Sequence, residues 1–138
     1  MPAEANLAPS PASWVILFVE DDPLVRVTMA DYLRGAGYGV VEAGSADEAV
    51  SVLSSGTKVH LVFSDVELPG EMGGFSLAVW LRNYYRFIPV VLASGVNSVI
   101  LPLARQHLVP FISKPYRPED AEELIASVLA NSVFAKRH

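Results

Sequence analysis

Residues 14–26 read WVILFVEDDPLVR. Six apolar residues, Trp14 to Val19, break at once into three carboxylates, Glu20, Asp21 and Asp22. The apolar run is continuous rather than alternating, which fits a strand buried on both faces of a parallel sheet. Pro23 then sits where a helix can begin without losing a hydrogen bond. Leu24, Val27, Ala30, Tyr32 and Leu33 follow at helical spacing, and Gly35 and Gly37 supply stop signals. The stretch therefore reads as strand, acidic turn, helix.

Working outward, the same unit recurs. Further apolar runs lie at Tyr38–Val41, Val59–Phe63, Ile88–Ala93 and Val109–Ile112. Ser45, with Glu48 three residues on, has the spacing of a capping box before Ala46, Ala49, Val50, Val52 and Leu53. Leu77, Ala78, Trp80 and Leu81 mark a third helix, and Ala104 to Leu108 a short fourth. Ala121, Leu124, Ile125, Val128 and Leu129 mark a fifth, entered at Pro118 with acids in its first turn. Five strand–helix units in succession predict an α/β fold: a doubly wound, five-stranded parallel sheet with five helices on both faces. The expected domain spans residues 14–132. Residues 1–13, rich in Ala, Pro and Ser, read as a loose tail, and 133–138 as a C-terminal tail.

Composition narrows the function. The 138 residues carry a net charge of −5, against the basic face that general nucleic-acid binding needs. There is no cysteine, which excludes disulfides, thiolate metal sites and thiol catalysis. No apolar run near the start approaches the ~20 residues of a membrane span. The first residues lack a cationic n-region. A cytoplasmic location is expected, with neither nucleic acid nor a membrane as partner.

In parallel sheets of this kind, ligands bind at the carboxyl ends of the strands. The first strand ends in Glu20-Asp21-Asp22, the third in Ser64-Asp65, the fourth in Ala93-Ser94-Gly95 and the fifth in Ser113-Lys114-Pro115. Clustered carboxylates repel unless a cation compensates them. A hard ion such as Mg²⁺ takes one or two carboxylates, a phosphate oxygen and water. A lysine and a serine hydroxyl nearby complete the parts for phosphoryl transfer to a carboxylate.

FVEDDPLVR at 18–26, LVFSDVELPG at 61–70, VVLASG at 90–95 and FISKPY at 111–116, in that order, resemble the receiver domain of two-component response regulators, which has a flavodoxin-like topology. The resemblance covers about residues 14 to 132. It implies that Asp65 is the phosphoacceptor, attacking the phosphohistidine of a partner kinase. It implies Mg²⁺ ligation by Asp21, Asp65 and the backbone carbonyl of Glu67, with Glu20 acting through a coordinated water. It implies that Lys114 pairs with the phosphoryl group, that Ser94 donates to it, and that Phe111 holds the place of the aromatic switch residue. The Lys114–Pro115 bond is expected to be cis, since X–Pro bonds are where cis is cheap.

Plainer readings stand beside these. Asp22 suits a helix N-cap. Ser94 or Lys114 alone would be an ordinary turn serine or a solvated lysine, and Phe111 fits a core as well as a switch. His60, His107 and His138 fall away from the strand ends and read as surface or packing residues, with no metal-site spacing. Trp14, Trp80, Tyr84 and Tyr85 read as packing or partner-surface residues.

Four features depart from the commonest receiver pattern. PGEMGGF at 69–75 is one residue longer, a variant that resembles receivers attached to, or working with, hybrid histidine kinases. Glu67 stands two residues after the acceptor, where its carboxylate is expected to affect attack by water. Pro102 suggests a fourth helix that starts near it, leaving residues 96–101 irregular, with Val96, Val99, Ile100 and Leu101 either exposed for docking or tucked inward. Phe111 lacks a switch tyrosine's hydroxyl.

The expected function is thus a phosphoacceptor switch. Phosphorylation shifts populations and reshapes the face of the fourth helix, fifth strand and fifth helix. The donor would be a histidine kinase or phosphotransfer protein. A downstream protein, or a second copy in a homodimer, would read the face. The alternative is a Mg²⁺-dependent phosphohydrolase with an aspartyl-phosphate intermediate, for which Glu67 would be the second acid and no cap domain fits this length. Nucleotide-binding motifs of the G-x-G-x-x-G and G-x-x-x-x-G-K-[ST] kinds are absent. Nothing after the fifth helix is long enough to bind DNA, so a stand-alone receiver or an excised domain is expected.

Overall fold

A computed structural model describes residues 14–95 and 100–135. The elements alternate strictly: β1 (Val15–Val19), α1 (Pro23–Gly35), β2 (Gly39–Ala43), α2 (Ala46–Ser54), β3 (Leu61–Asp65), α3 (Gly74–Tyr84), β4 (Val90–Gly95), α4 (Ile100–Gln106), β5 (Phe111–Lys114) and α5 (Pro118–Ala130). All neighbouring strands pair in parallel, in the order β2-β1-β3-β4-β5.

The period-2 geometry of a strand divides each apolar run between two cores. Leu17, Val19 and Val62 point to one face, under Leu53 of α2, Leu77 and Leu81 of α3 and Ala104 of α4. Ile16, Phe18, Leu61 and Phe63 point to the other, under Met29 and Leu33 of α1 and Ile125 and Leu129 of α5. Phe18 and Phe63 stack there with centroids 5.2 Å apart. Burial on both faces is why these strands carry unbroken hydrophobic sequence.

The strands lie slightly C-terminal to several of the apolar runs. β3 begins at Leu61, not Val59, and continues through Ser64 and Asp65. The pairing ladder, not hydrophobicity, sets the limits, and it carries polar residues to the sheet's edge.

Local chemistry closes the helices as expected, with refinements. Asp22 caps α1, its Oδ1 accepting from the N–H groups of Leu24 (2.9 Å) and Val25 (3.3 Å). Ser45 Oγ accepts from the Glu48 N–H at 3.1 Å. Glu48 reaches back to the N–H of Gly44 (2.8 Å), one residue beyond the usual capping-box partner.

The fourth helix differs more. It runs from Ile100 to Gln106, four residues earlier than the apolar spacing indicated at its start. Pro102 is its third residue, in the first turn, where a missing N–H removes no intrahelical bond. Val96 and Val99 lie outside the described residues, as do the side chains of Ile100 and Leu101.

Leu108, expected as the end of this helix, lies just past it with φ 57°. The Leu108 N–H donates to Arg105 O (3.1 Å) and the Val109 N–H to Ala104 O (2.9 Å). This is a Schellman ending with leucine in glycine's place. The left-handed conformation costs a non-glycine residue about 1–2 kcal/mol. The Leu108 side chain recovers little of that by packing, since it is 84% exposed. Leu108→Gly is therefore expected to raise stability by about 1 kcal/mol, read as a higher urea midpoint with an unchanged slope.

At the opposite end of the sheet, His60 is buried. Its Nδ1 accepts the Val15 N–H at 2.9 Å, and its ring meets the edges or faces of Trp14 (5.3 Å) and Phe134 (5.0 Å). Burial, helped by Lys58, holds its pKa below the usual imidazole value. Of the roles left open, surface or packing for His60 and packing or partner surface for Trp14, packing is what is found. Phe134 and Ala135 pack on the α1/α5 core, so part of the segment expected as tail joins the packed unit.

Candidate functional site

The register brings the strand ends to one edge. Val19 pairs with Ser64, which leaves Glu20 beside Asp65 at the next position. Asp65 pairs with Ala93, and Gly95 with Lys114. Each of Glu20, Asp21 and Asp65 offers a carboxylate oxygen within 4.8 Å of the others. Glu20 and Asp65 are buried and Asp21 is exposed.

Lys114 reaches into this cluster from β5. Its Nζ donates to Asp65 Oδ2 at 2.8 Å and lies 3.6 Å from Glu20 Oε1. Asp65 Oδ1 accepts from the Glu67 N–H at 3.3 Å, and Glu20 Oε2 from the Asp22 N–H at 3.1 Å. Burial raises the Glu20 carboxyl above its ordinary range, against the opposing Asp22 N–H and Lys114 charge. Burial also works against a charged Lys114. The hydrogen bond to Asp65 and the charges of Asp65, Glu20 and Glu67 outweigh it, and the ammonium pKa rises. The Lys114–Pro115 bond beside the site is cis.

Ser94 is fully buried, and its Oγ finds Gly95 O only at 3.5 Å. Leu92 pairs with Phe111, so Ser94 and Phe111 lie on the same sheet face, the one that packs α3 and α4. Phe111 is half-buried, with the Arg105 guanidinium 5.5 Å from its ring. Glu67 is exposed at the rim.

The cluster offers oxygen donors only. That set suits a hard divalent cation such as Mg²⁺ and not a soft one. Beside it opens a cleft of about 870 Å³, lined by Leu24, Val25, Thr28, Pro115 and Tyr116, with Lys114 and Glu67 at the acidic end.

Residues 16–127 match the model of the response regulator receiver domain. The chain belongs to that family. The receiver is 33% identical over 113 residues to the response regulator protein FleR of Pseudomonas aeruginosa, covering 80% of this chain and 24% of FleR. It is also 33% identical over 118 residues to the two-component response regulator ORR3 of Oryza sativa subsp. indica, covering 83% of this chain and 89% of ORR3. The chain thus spans about a quarter of FleR but most of ORR3. The fold is shared with the response regulator TrrA from Thermotoga maritima, solved in complex with Mg²⁺-BeF (TM-score 0.74, 23% identity, covering 83% of this chain and 98% of that one).

Three residues of the receiver's site went unassigned in the sequence. Gly74, the first residue of α3, donates its N–H to Val66 O at 2.9 Å. A Cβ there would lie 2.1 Å from Asp65 O. The double glycine Gly73-Gly74 is the available signal, and in the sequence it stands only as part of a lengthened loop. Tyr116 packs its ring 5.8 Å from Phe63, and burial, then the charges of Glu20 and Asp65, push its phenol pKa up. Arg26 touches the backbone of Glu20. Nothing in the sequence marked Arg26, because its partners are set by the β1/β2 pairing.

Proposed function

We propose that this receiver is a phosphoacceptor switch of a two-component system. Asp65 takes a phosphoryl group from a phosphohistidine on a histidine kinase or phosphotransfer protein, in a Mg²⁺-dependent reaction. One observation carries the reading: the meeting of Glu20, Asp21, Asp65 and Lys114 at the carboxyl edge of the sheet, with the ammonium 2.8 Å from Asp65 Oδ2.

In the transfer, an Asp65 carboxylate oxygen bonds to phosphorus as the P–N bond to the imidazole breaks. The electron pair of that bond stays with the imidazole nitrogen. Asp21, Asp65 and the Glu67 carbonyl would hold Mg²⁺, with Glu20 acting through a water, and the bound cation supplies neutralisation of the acids and the transferring oxygens. Lys114 follows the new charge from the carboxylate to a phosphoryl oxygen. Ser94, whose present contact is long, turns its hydroxyl to another. The apolar wall of the cleft gives a donor protein a surface against which to present its histidine.

Phosphorylation adds close to two negative charges at Asp65. Lys114 and Ser94 engage them better in one arrangement of the domain, and the population moves by that difference. Phe111, on the same sheet face as Ser94, carries the change by packing to the face of α4, β5 and α5. A downstream protein or a second copy reads that face. Among the described residues no helix is long and apolar enough to cross a membrane.

Acetyl phosphate with Mg²⁺ tests the proposal. The protein should gain one acid-stable, alkali-labile phosphate, and Asp65→Asn none, by mass spectrometry. Labelling of Asp65→Asn at the parent level would refute the acceptor assignment. Rapid multiple turnover without a lasting phosphoprotein would favour the hydrolase.

A further inference from the structure

The loop that carries Glu20 and Asp21 is held by contacts that the phosphoacceptor reading does not use. The Glu20 N–H continues the β1/β2 ladder, donating to Ala43 O at 3.0 Å. Its carbonyl lies beyond the last rung, and among the described residues no strand backbone donates to it. Arg26, from the first turns of α1, fills that role: its Nη1 donates to Glu20 O at 2.8 Å. The same guanidinium places Nε 3.4 Å from Glu42 Oε1 on β2. Glu42 is fixed in turn by Arg34, whose Nη2 lies 3.0 Å from Oε2. The Arg26 side chain is only 22% exposed, so this pair is shielded from much of the screening that weakens surface ion pairs.

The position of Gly44 adds to the picture. A Cβ at that residue would stand 3.3 Å from Arg26 Nη1 and 3.6 Å from the Glu48 carboxylate. The end of β2 is therefore pared back where the guanidinium crosses it. A planar fork can serve a carbonyl and a carboxylate at once, which a lysine ammonium does less well.

We infer that Arg26 is a positioning residue for the acidic cluster. By tying the Glu20 carbonyl to Glu42, it fixes the loop that aims Glu20 and Asp21 at Asp65, and so couples the sheet's β2 edge to cation affinity. This rests on the reading that the three carboxylates hold a divalent cation. Groups that orient ligands from behind commonly govern affinity by about 10–100-fold when removed.

The test uses the whole chain and three measurements: Mg²⁺ titration by calorimetry, amide hydrogen exchange at Asp21 and Asp22 without metal, and thermal unfolding. Arg26→Gln should weaken Mg²⁺ binding about tenfold and speed exchange at both amides. Arg26→Lys should fall between it and the parent. Gly44→Ala, which crowds the guanidinium without removing a polar group, should move both readouts in the same direction by less. If Arg26→Gln does not fold, Arg26→Lys and Gly44→Ala decide the question. A folded Arg26→Gln with the parent's Mg²⁺ affinity overturns the inference. If the unmodified protein binds no Mg²⁺, the reading of the cluster fails instead, and unchanged exchange in Arg26→Gln would separately remove Arg26's hold on the loop.

Discussion

Gly74→Ala is expected to destabilise the receiver by about 3 kcal/mol, the upper range for forcing an extra carbon into a packed interior. The new Cβ would sit 2.1 Å from Asp65 O, 2.9 Å from Asp65 C and 2.9 Å from the Val66 Cα. All three are backbone atoms, and none can swing aside as a side chain would. The helix cannot simply retreat, because the Gly74 N–H is hydrogen-bonded to Val66 O. Relief comes only by prising α3 away from the end of β3, which would also disturb Asp65. Gly73→Ala is the control: its Cβ would meet only Val66 O, at 3.2 Å, which a small shift relieves. Urea denaturation of both variants checks this. Equal midpoints for Gly74→Ala and the parent would mean that the two segments do not approach as closely as described.

Lys114→Gln is expected to reduce phosphorylation by acetyl phosphate about 100-fold, the scale of losing one donor aimed at developing charge. Its amine is the cation that Asp65 and Glu20 share, at 2.8 and 3.6 Å. The variant should also carry a pH signature. The Glu20 carboxyl is already raised from 4.5, first by burial, and loss of the ammonium would raise it further. A carboxyl raised on folding contributes stability below its unfolded pKa and loses it as pH rises through the folded value. The parent's Lys114, raised from 10.5, contributes throughout the range below that value. The variant's deficit should therefore be widest near neutrality and narrow as pH falls below about 4.5, in denaturation curves across pH. A deficit that grows on acidification would contradict the pairing.

The strand ends carried most of what could be read from sequence. A six-residue apolar run that stops at Glu20-Asp21 announces both a buried strand and its chemical terminus, because parallel strands present their carboxyl ends together. The α/β alternation and the five strand–helix units follow from the same periodicity. Boundaries were less accessible. Val59 and His60 are buried as expected of a strand, yet they precede β3, since burial and ladder pairing are different conditions. Pro102 looked like a late start for α4, and proline is tolerated anywhere in a first turn. Gly74 and Arg26 could not be placed, since each acts through partners distant in sequence or through a backbone approach that no spacing rule encodes. Leu108 shows the converse: a glycine-favouring conformation occupied by a residue that gives no local warning.

Among the described residues β5 is the shortest strand, four residues, and it pairs on one side only, with β4. The Lys114 amine thus rides on the most lightly tethered member of the sheet, while its partner Asp65 stands on the central one. When charge at Asp65 changes, the central strand has little freedom to respond. On the proposed function the yielding partner is the rim, and the signal leaves sideways through β5, one of the two borders of the sheet, with β2 the other.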